Sequence, residues 1–142
     1  MKDEYEEIKN MVNKETKAWD EQDVESLLEL FHRDMVWPWP KSNSDHDPIK
    51  WEIIQEKYNY QRWKKGWEIL FKENELVINE RTIRKIELSK EKDGAFAVVD
   101  INTKCENRTD HSVMEWKGRV CKVYSKCNDG WKITMHTGVL EY

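Results

Sequence analysis

The order of patterns along the sequence predicts an α+β fold, a curved antiparallel sheet wrapped around a layer of N-terminal helices. Three observations carry that expectation. Apolar residues recur at helical spacing in the first half of the chain and alternate at strand spacing in the second. Short polar segments such as Asp93-Gly94 separate the strands, as hairpin turns do. The last two strands, residues 112–125 and 130–140 about Lys126-Cys127-Asn128-Asp129-Gly130, alternate apolar and polar residues. Their apolar face needs a cover, and three Trp-rich amphipathic segments upstream offer one.

Taken in order, Tyr5, Ile8, Met11, Val12, Ala18 and Trp19 mark a first helix, with Asp3 and Glu6 as a capping pair. Asp20-Glu21-Gln22 breaks it. Asp23 caps a second helix whose stripe is Val24, Leu27, Leu28 and Phe31. Pro38 and Pro40 exclude helix from residues 35–40, which read as a short edge strand. Residues 41–47 are a polar loop. Asp47-Pro48 then reads as N-cap and first helical position of a segment running to about Lys72. Ile54 and Tyr58 form one stripe on it; Trp63, Trp67, Leu70 and Phe71 form another. Gly66 weakens the middle, so one helix or two both fit. After Asn74 the chain turns β-branched and alternating, over 76–78, 82–88 and 95–105, and 106–110 supplies a further turn.

Composition narrows the function classes. The 142 residues are of single-domain size and can bury a real core. Charged residues make up 37% of the chain, but the two signs are interleaved and eight Trp argue against disorder. A net charge of −4 argues against a nucleic-acid partner, which would call for a concentrated basic face. No apolar run has the length of a membrane span, and Met1-Lys2-Asp3-Glu4 is a charged start unlike a signal peptide. No membrane association is therefore expected, and the cytoplasm is the expected compartment. Cys105, Cys121 and Cys127 are odd in number, lack CxxC spacing and read as reduced thiols.

The segment Ala18-Trp19-Asp20-(x2)-Asp23-(x3)-Leu27-Leu28-(x2)-Phe31-(x2)-Asp34, followed by a long helix, four strands and Gly130-Trp131-Lys132-Ile133, resembles the nuclear transport factor 2-like (cystatin-like) fold, and within it the SnoaL-like proteins. Gly118-Arg119-Val120 with Asp129-Gly130-Trp131 also resembles the end of the calcium/calmodulin-dependent protein kinase association domain. The resemblance implies a cone, a bent sheet closed by helices with a pocket in its mouth, and a homodimer through the convex sheet face. It implies no single activity, because such cones include ketosteroid isomerases, dehydratases, hydrolases, binding modules and oligomerising modules. The expected function is a small-molecule-binding domain whose partner is a small organic ligand. The alternatives are an isomerase, dehydratase or hydrolase using a pocket carboxylate, and an oligomerisation module.

Candidate residues follow from that pocket. Trp37 and Trp39, alternating on the short strand near its mouth, could form an aromatic box with Trp63 and Trp67 of the long helix. At helical spacing Trp63 and Trp67 read more simply as core; Trp37 and Trp39 share a face at period two and are open to either role. Asp100 lies within the apolar run 95–101 and is the candidate general base, since a desolvated carboxylate there would be a stronger base. The alternative is a strand face turning polar toward water or a dimer partner. Arg119, if inward, would seek an anionic ligand or Asp100; if outward, it would pair with a neighbouring strand acid. Asp20 and Asp23 read as helix terminator and cap.

His32, His46, His111 and His136 have no metal-ligand spacing, and Asp45-His46-Asp47 reads as solvated loop. There is no Ser/His/Asp or Cys/His arrangement and no glycine-rich phosphate loop, so neither metal nor cofactor is expected. SnoaL-like members often place histidines four and six residues after the Trp; here Met135 and Thr137 occupy those positions. Strict alternation puts Trp131, Ile133 and Met135 on one face and His136 on the other, which removes His136 from the expected pocket. A register pairing Arg119 with Thr137 gathers the apolar residues and places Arg119 on the Trp131 face.

Overall fold

A computed structural model describes residues 3–40, 47–53 and 56–140. The expected loop at 41–46, with Asp45 and His46, and the expected helical position Ile54 lie outside them. Helix α1 (Glu4–Asp20) opens with the Asp3 carboxylate accepting from Tyr5 N–H, which satisfies one of its orphan amides. Its buried stripe is Ile8, Met11, Val12, Ala18 and Trp19, with the carboxylate of Glu15 in line among them. Gln22 takes a positive φ of 50° to end the helix, and Asp23 caps α2 (Val24–Leu28) through Ser26 N–H. The second helix is shorter than its apolar stripe: Phe31 belongs to strand β1 (Phe31–Val36), because the Leu30 carbonyl already accepts from Ile133 N–H of the sheet.

The segment after Pro40 departs from expectation. Asp47 does cap and Pro48 does open a turn, but the turn is a single 3-10 one, Pro48–Lys50. Trp51 is extended, and β3 (Trp51–Glu52) pairs with β2 (Trp39–Pro40) as a small antiparallel ribbon. Pairing of the two Trp-containing dipeptides overrides the local helical pattern. The helix α3 (Tyr60–Glu73) starts twelve residues after Pro48, at a second cap, Asn59, which accepts from Arg62 N–H. It runs unbroken through Gly66. Its buried side carries Trp63 and Phe71 against α1 and the sheet.

Four long strands follow: β4 (Asn74–Leu88), β5 (Gly94–Asn107), β6 (Val113–Cys127) and β7 (Gly130–His136). They form a meander to which β1 adds as a parallel edge, in the order β1-β7-β6-β5-β4. The sheet is thus antiparallel apart from that one edge. Register shifts in β4 and β7 bend it, and its inner face, including Ala97, Val99, Val120 and Ile133, packs under the helices. The outer face carries Phe96, Val98 and Asp100 of β5 opposite Val123, Cys121 and Arg119 of β6.

One bulge decides the site. Lys122 pairs with His136 and Val123 with Met135, but Tyr124 pairs with Ile133, leaving Thr134 as an extra residue on β7. The alternation therefore slips by one beyond Thr134. His136 joins Trp131 and Ile133 on the buried face, and Met135 turns outward. Arg119 pairs not with Thr137 but with Leu140, through both backbone hydrogen bonds, and lies on the face opposite Trp131. Gly118 makes that pairing possible: its φ is +151°, and a Cβ there would lie 2.3 Å from the Leu140 carbonyl oxygen.

Candidate functional site

Between the helices and the inner face of the sheet is a cavity of about 300 Å³. Six of the eight tryptophans line it: Trp19 from α1, Trp37, Trp39 from β2, Trp63 and Trp67 from α3, and Trp116 from β6. They contact one another at edge-to-face or tilted angles, with Trp19 5.1 Å from Trp67 and 6.0 Å from Trp116, and Trp37 5.9 Å from Trp39. The structure thus brings Trp37, Trp39, Trp63 and Trp67 into one wall. Trp63 is also core, only 2% exposed. Gly66 contributes to the same wall, with no atom within 4 Å of where its Cβ would be.

The floor is polar and buried. Lys122 Nζ donates to Glu15 Oε1 at 2.7 Å and to His136 Nε2 at 2.9 Å. His136 Nδ1–H donates to the Thr137 carbonyl at 2.7 Å, so the ring is neutral with Nε2 as the acceptor. The Trp37 ring stacks on it at 3.9 Å. Burial alone would raise the Glu15 carboxyl; the Lys122 ammonium, then His136 and Arg81, outweigh that and hold it at about 2. Burial brings Lys122 down to about 8 against the pull of Glu15. Burial, and then the Lys122 charge, push His136 down to about 3. These three side chains form one network in which Glu15 is charged, Lys122 is charged and His136 is not.

Beside them Arg81, on β4, lies over the Trp19 ring at 5.7 Å and donates from Nη1 to Asn79 Oδ1. Among the described residues, three buried polar atoms in this region find no hydrogen-bond partner: Trp37 Nε1, Arg81 Nε and Tyr124 Oη. Native interiors rarely leave such atoms unmet without a reason.

Asp100 and Arg119 lie elsewhere. Arg119 Nε donates to Asp100 Oδ1 at 2.7 Å, and Arg84 Nε donates to Oδ2 at 2.5 Å, on the outer face of the sheet. Neither Asp100 nor Arg119 lines the cavity. The strand pattern runs inward through Val99, Ile101 and Thr103, so Asp100 points out, its largely covered carboxylate paired with two arginines. This removes both as cavity groups and corrects the expectation of a base and an inward cation. His32 is half-buried and accepts from Asp34 N–H, and exposed His111 bonds Glu106; neither lines the cavity. Among the described residues no group of three or more His, Cys, Asp or Glu could hold a metal ion.

No protein-family model and no curated protein matches the chain. Solved structures do. A ketosteroid isomerase-like protein from Erwinia carotovora atroseptica superposes with a TM-score of 0.73 at 12% identity, over 100% of both chains. An NTF2-like protein from Cytophaga hutchinsonii gives 0.71 at 18% identity, over 96% of this chain and 97% of its own. The fold is nuclear transport factor 2-like. A proposed calcium/calmodulin-dependent kinase II association domain from Exiguobacterium sibiricum shares it, with a TM-score of 0.66 at 9% identity over 96% of this chain and 92% of its own.

The residues that sequence reasoning missed are Glu15, Arg81, Lys122 and His136. Two carried a readable signal. Glu15 falls inside the apolar stripe of α1, three residues after Val12 and three before Ala18. Lys122 alternates in phase with the buried Val120 and Tyr124. A charged residue in phase with a core stripe is worth singling out, since burial demands a partner.

Proposed function

We propose that this chain is a small-molecule-binding domain whose ligand enters the Trp-walled cavity of the cone. The observation that carries the reading is the combination of six tryptophans around about 300 Å³ of space with unpaired, buried Trp37 Nε1 and Arg81 Nε beside it. An apolar cavity with a few convergent polar groups is the usual form of a ligand site. The pocket carboxylate required by an isomerase or dehydratase reading would be Glu15. At a pKa of about 2, bonded to Lys122, it is a weak base, and neutral His136 already spends its free nitrogen on the same ammonium. Binding therefore fits better than proton abstraction.

The test is native mass spectrometry of the purified protein, followed by quenching of tryptophan fluorescence with a library of flat organic molecules. A stoichiometric adduct, or saturable quenching lost in Trp67→Ala, supports the reading. Absence of both across the library overturns it.

We propose further that two copies pair through the outer sheet face. Phe96, Val123 and Met135 adjoin across three strands beside Val98 and Cys121, with Phe96 40% and Met135 39% exposed. A monomer by light scattering at micromolar concentration would refute this. We place the protein in the cytoplasm, in keeping with its three free cysteines, the state a reducing compartment maintains. No helix among the described residues is long and apolar enough to cross a membrane.

A further inference from the structure

We propose that the ligand is an anion: a flat apolar molecule whose carboxylate docks between Arg81 and the indole N–H of Trp37. The proposal rests on reading the cavity as a ligand site and adds the ligand's charge and orientation.

The first argument is charge. The ionisable side chains lining the cavity are Glu15, Arg81, Lys122 and His136. Glu15 and Lys122 neutralise each other at 2.7 Å, and His136 is neutral, its Nδ1–H on a carbonyl and its Nε2 on Lys122. That leaves the Arg81 guanidinium as surplus charge. Arg81 feels the Glu15 and Asp20 carboxylates through space; its Nη1 hydrogen bond goes to Asn79, whose Nδ2 donates to Asp20 Oδ1 at 2.8 Å, and Asp20 is exposed to solvent. A guanidinium does not shed its proton when buried, so the charge has to be met where it stands.

The second argument is the kind of atom left unmet. Arg81 Nε and Trp37 Nε1 are both N–H donors with no acceptor role. Two unpaired donors and one surplus positive charge in a single cavity ask for a negatively charged acceptor, and a carboxylate supplies two oxygens. The third is shape. Trp19 lies beneath Arg81, and its edge meets Trp67 and Trp116 at 5.1 and 6.0 Å, so the space next to the guanidinium is walled by aromatic rings. A ring system bearing the carboxylate would fill it.

The experiment compares pairs of nearly equal shape, one anionic and one neutral: benzoate with benzamide and 2-naphthoate with 2-naphthamide, titrated calorimetrically into the intact protein at pH 7. A carboxylate that binds about tenfold or more tighter than its amide supports the proposal, that being the worth of one charge-assisted hydrogen bond. Arg81→Met should abolish the preference, weakening the carboxylates more than the amides. Trp37→Phe, which keeps an aromatic ring beside His136 but loses the indole N–H together with the pyrrole part of the ring, should reduce it as well. If Arg81→Met loses its cooperative melting transition, Trp37→Phe makes the comparison alone. Amides binding as well as carboxylates would overturn the anion inference and leave the cavity a ligand site. No binding by any of the four would overturn both.

Discussion

Replacing His136 by Gln should flatten the acid side of the stability curve. His136 is 4% exposed, and the groups facing it are the Lys122 ammonium, the Glu15 carboxylate at 3.8 Å, Arg81 through space, the Trp37 ring and the Thr137 carbonyl. A proton on Nε2 would displace the Lys122 hydrogen bond and set two cations 2.9 Å apart. Burial and Lys122 accordingly hold the folded-state pKa at about 3, below the ordinary 6.5. The sign follows directly. Below pH 6.5 the unfolded chain takes up a proton that the folded chain refuses, so stability drops as pH falls through that window; above it the group contributes nothing. One proton of difference gives a slope of about 1.4 kcal/mol per pH unit, or up to about 2.7 kcal/mol between pH 6.5 and 4.5. Glu15 adds a second slope only below 4.5, its folded pKa being held at about 2, and Lys122 stays protonated in both states throughout this range. Urea unfolding followed by tryptophan fluorescence, on wild type and His136→Gln from pH 7 down to 4.5, isolates the His136 contribution as the difference between the curves. Parallel curves would refute the reasoning, as would an NMR titration placing the folded-state pKa of His136 near 6.5.

Lys122→Met leaves the Glu15 carboxylate buried without its partner and should cost about 3–5 kcal/mol in denaturant unfolding, most of it recovered by adding Glu15→Gln. Gly118→Ala forces a Cβ against the Leu140 carbonyl and should free the segment after Thr137, seen as faster amide exchange at Arg119 and Leu140 with the rest of the sheet still protected. Asp100→Asn weakens a bridge to two arginines on the outer face; cavity affinity should stay within about twofold, while stability falls by about 1–2 kcal/mol.

The fold was legible because its strongest signals are local. Asp3 and Asp23 cap the helices that the spacing of Ile8, Met11, Val12, Leu27 and Leu28 predicts, and the hairpins fall where the polar turns stand. The start of α3 was not, because two cap signals compete. Asp47-Pro48 is satisfied by one turn, and the pairing of Trp51 with Pro40 across the intervening segment then pulls the chain extended. Of the site, four tryptophans were visible by periodicity, while Glu15 and Lys122 showed only as charges in phase with core stripes. Glu15 and Lys122 are separated by 107 positions, and no local pattern announces that pairing. Asp100 misled because its strand is apolar on both faces, so alternation alone does not say which face the acid takes, and it takes the outer one, where the arginines stand.

The extra residue at Thr134 has a consequence for how such a site could arise. Upstream of it β7 is a wall, with Trp131 tied to Glu7 of α1 at 2.8 Å and Ile133 in the core. Downstream, the same strand delivers His136 to the cavity floor. The bulge lets these two tasks be written in opposite phase on one strand. Deleting Thr134 would restore strict alternation with Met135 still outward and His136 still on the floor, whereas closing the bulge with Thr134 retained would present Met135 in place of His136 with no side chain exchanged. The floor chemistry thus depends on whether the extra residue is held as a bulge, a difference in register that position-by-position comparison of sequences would not record.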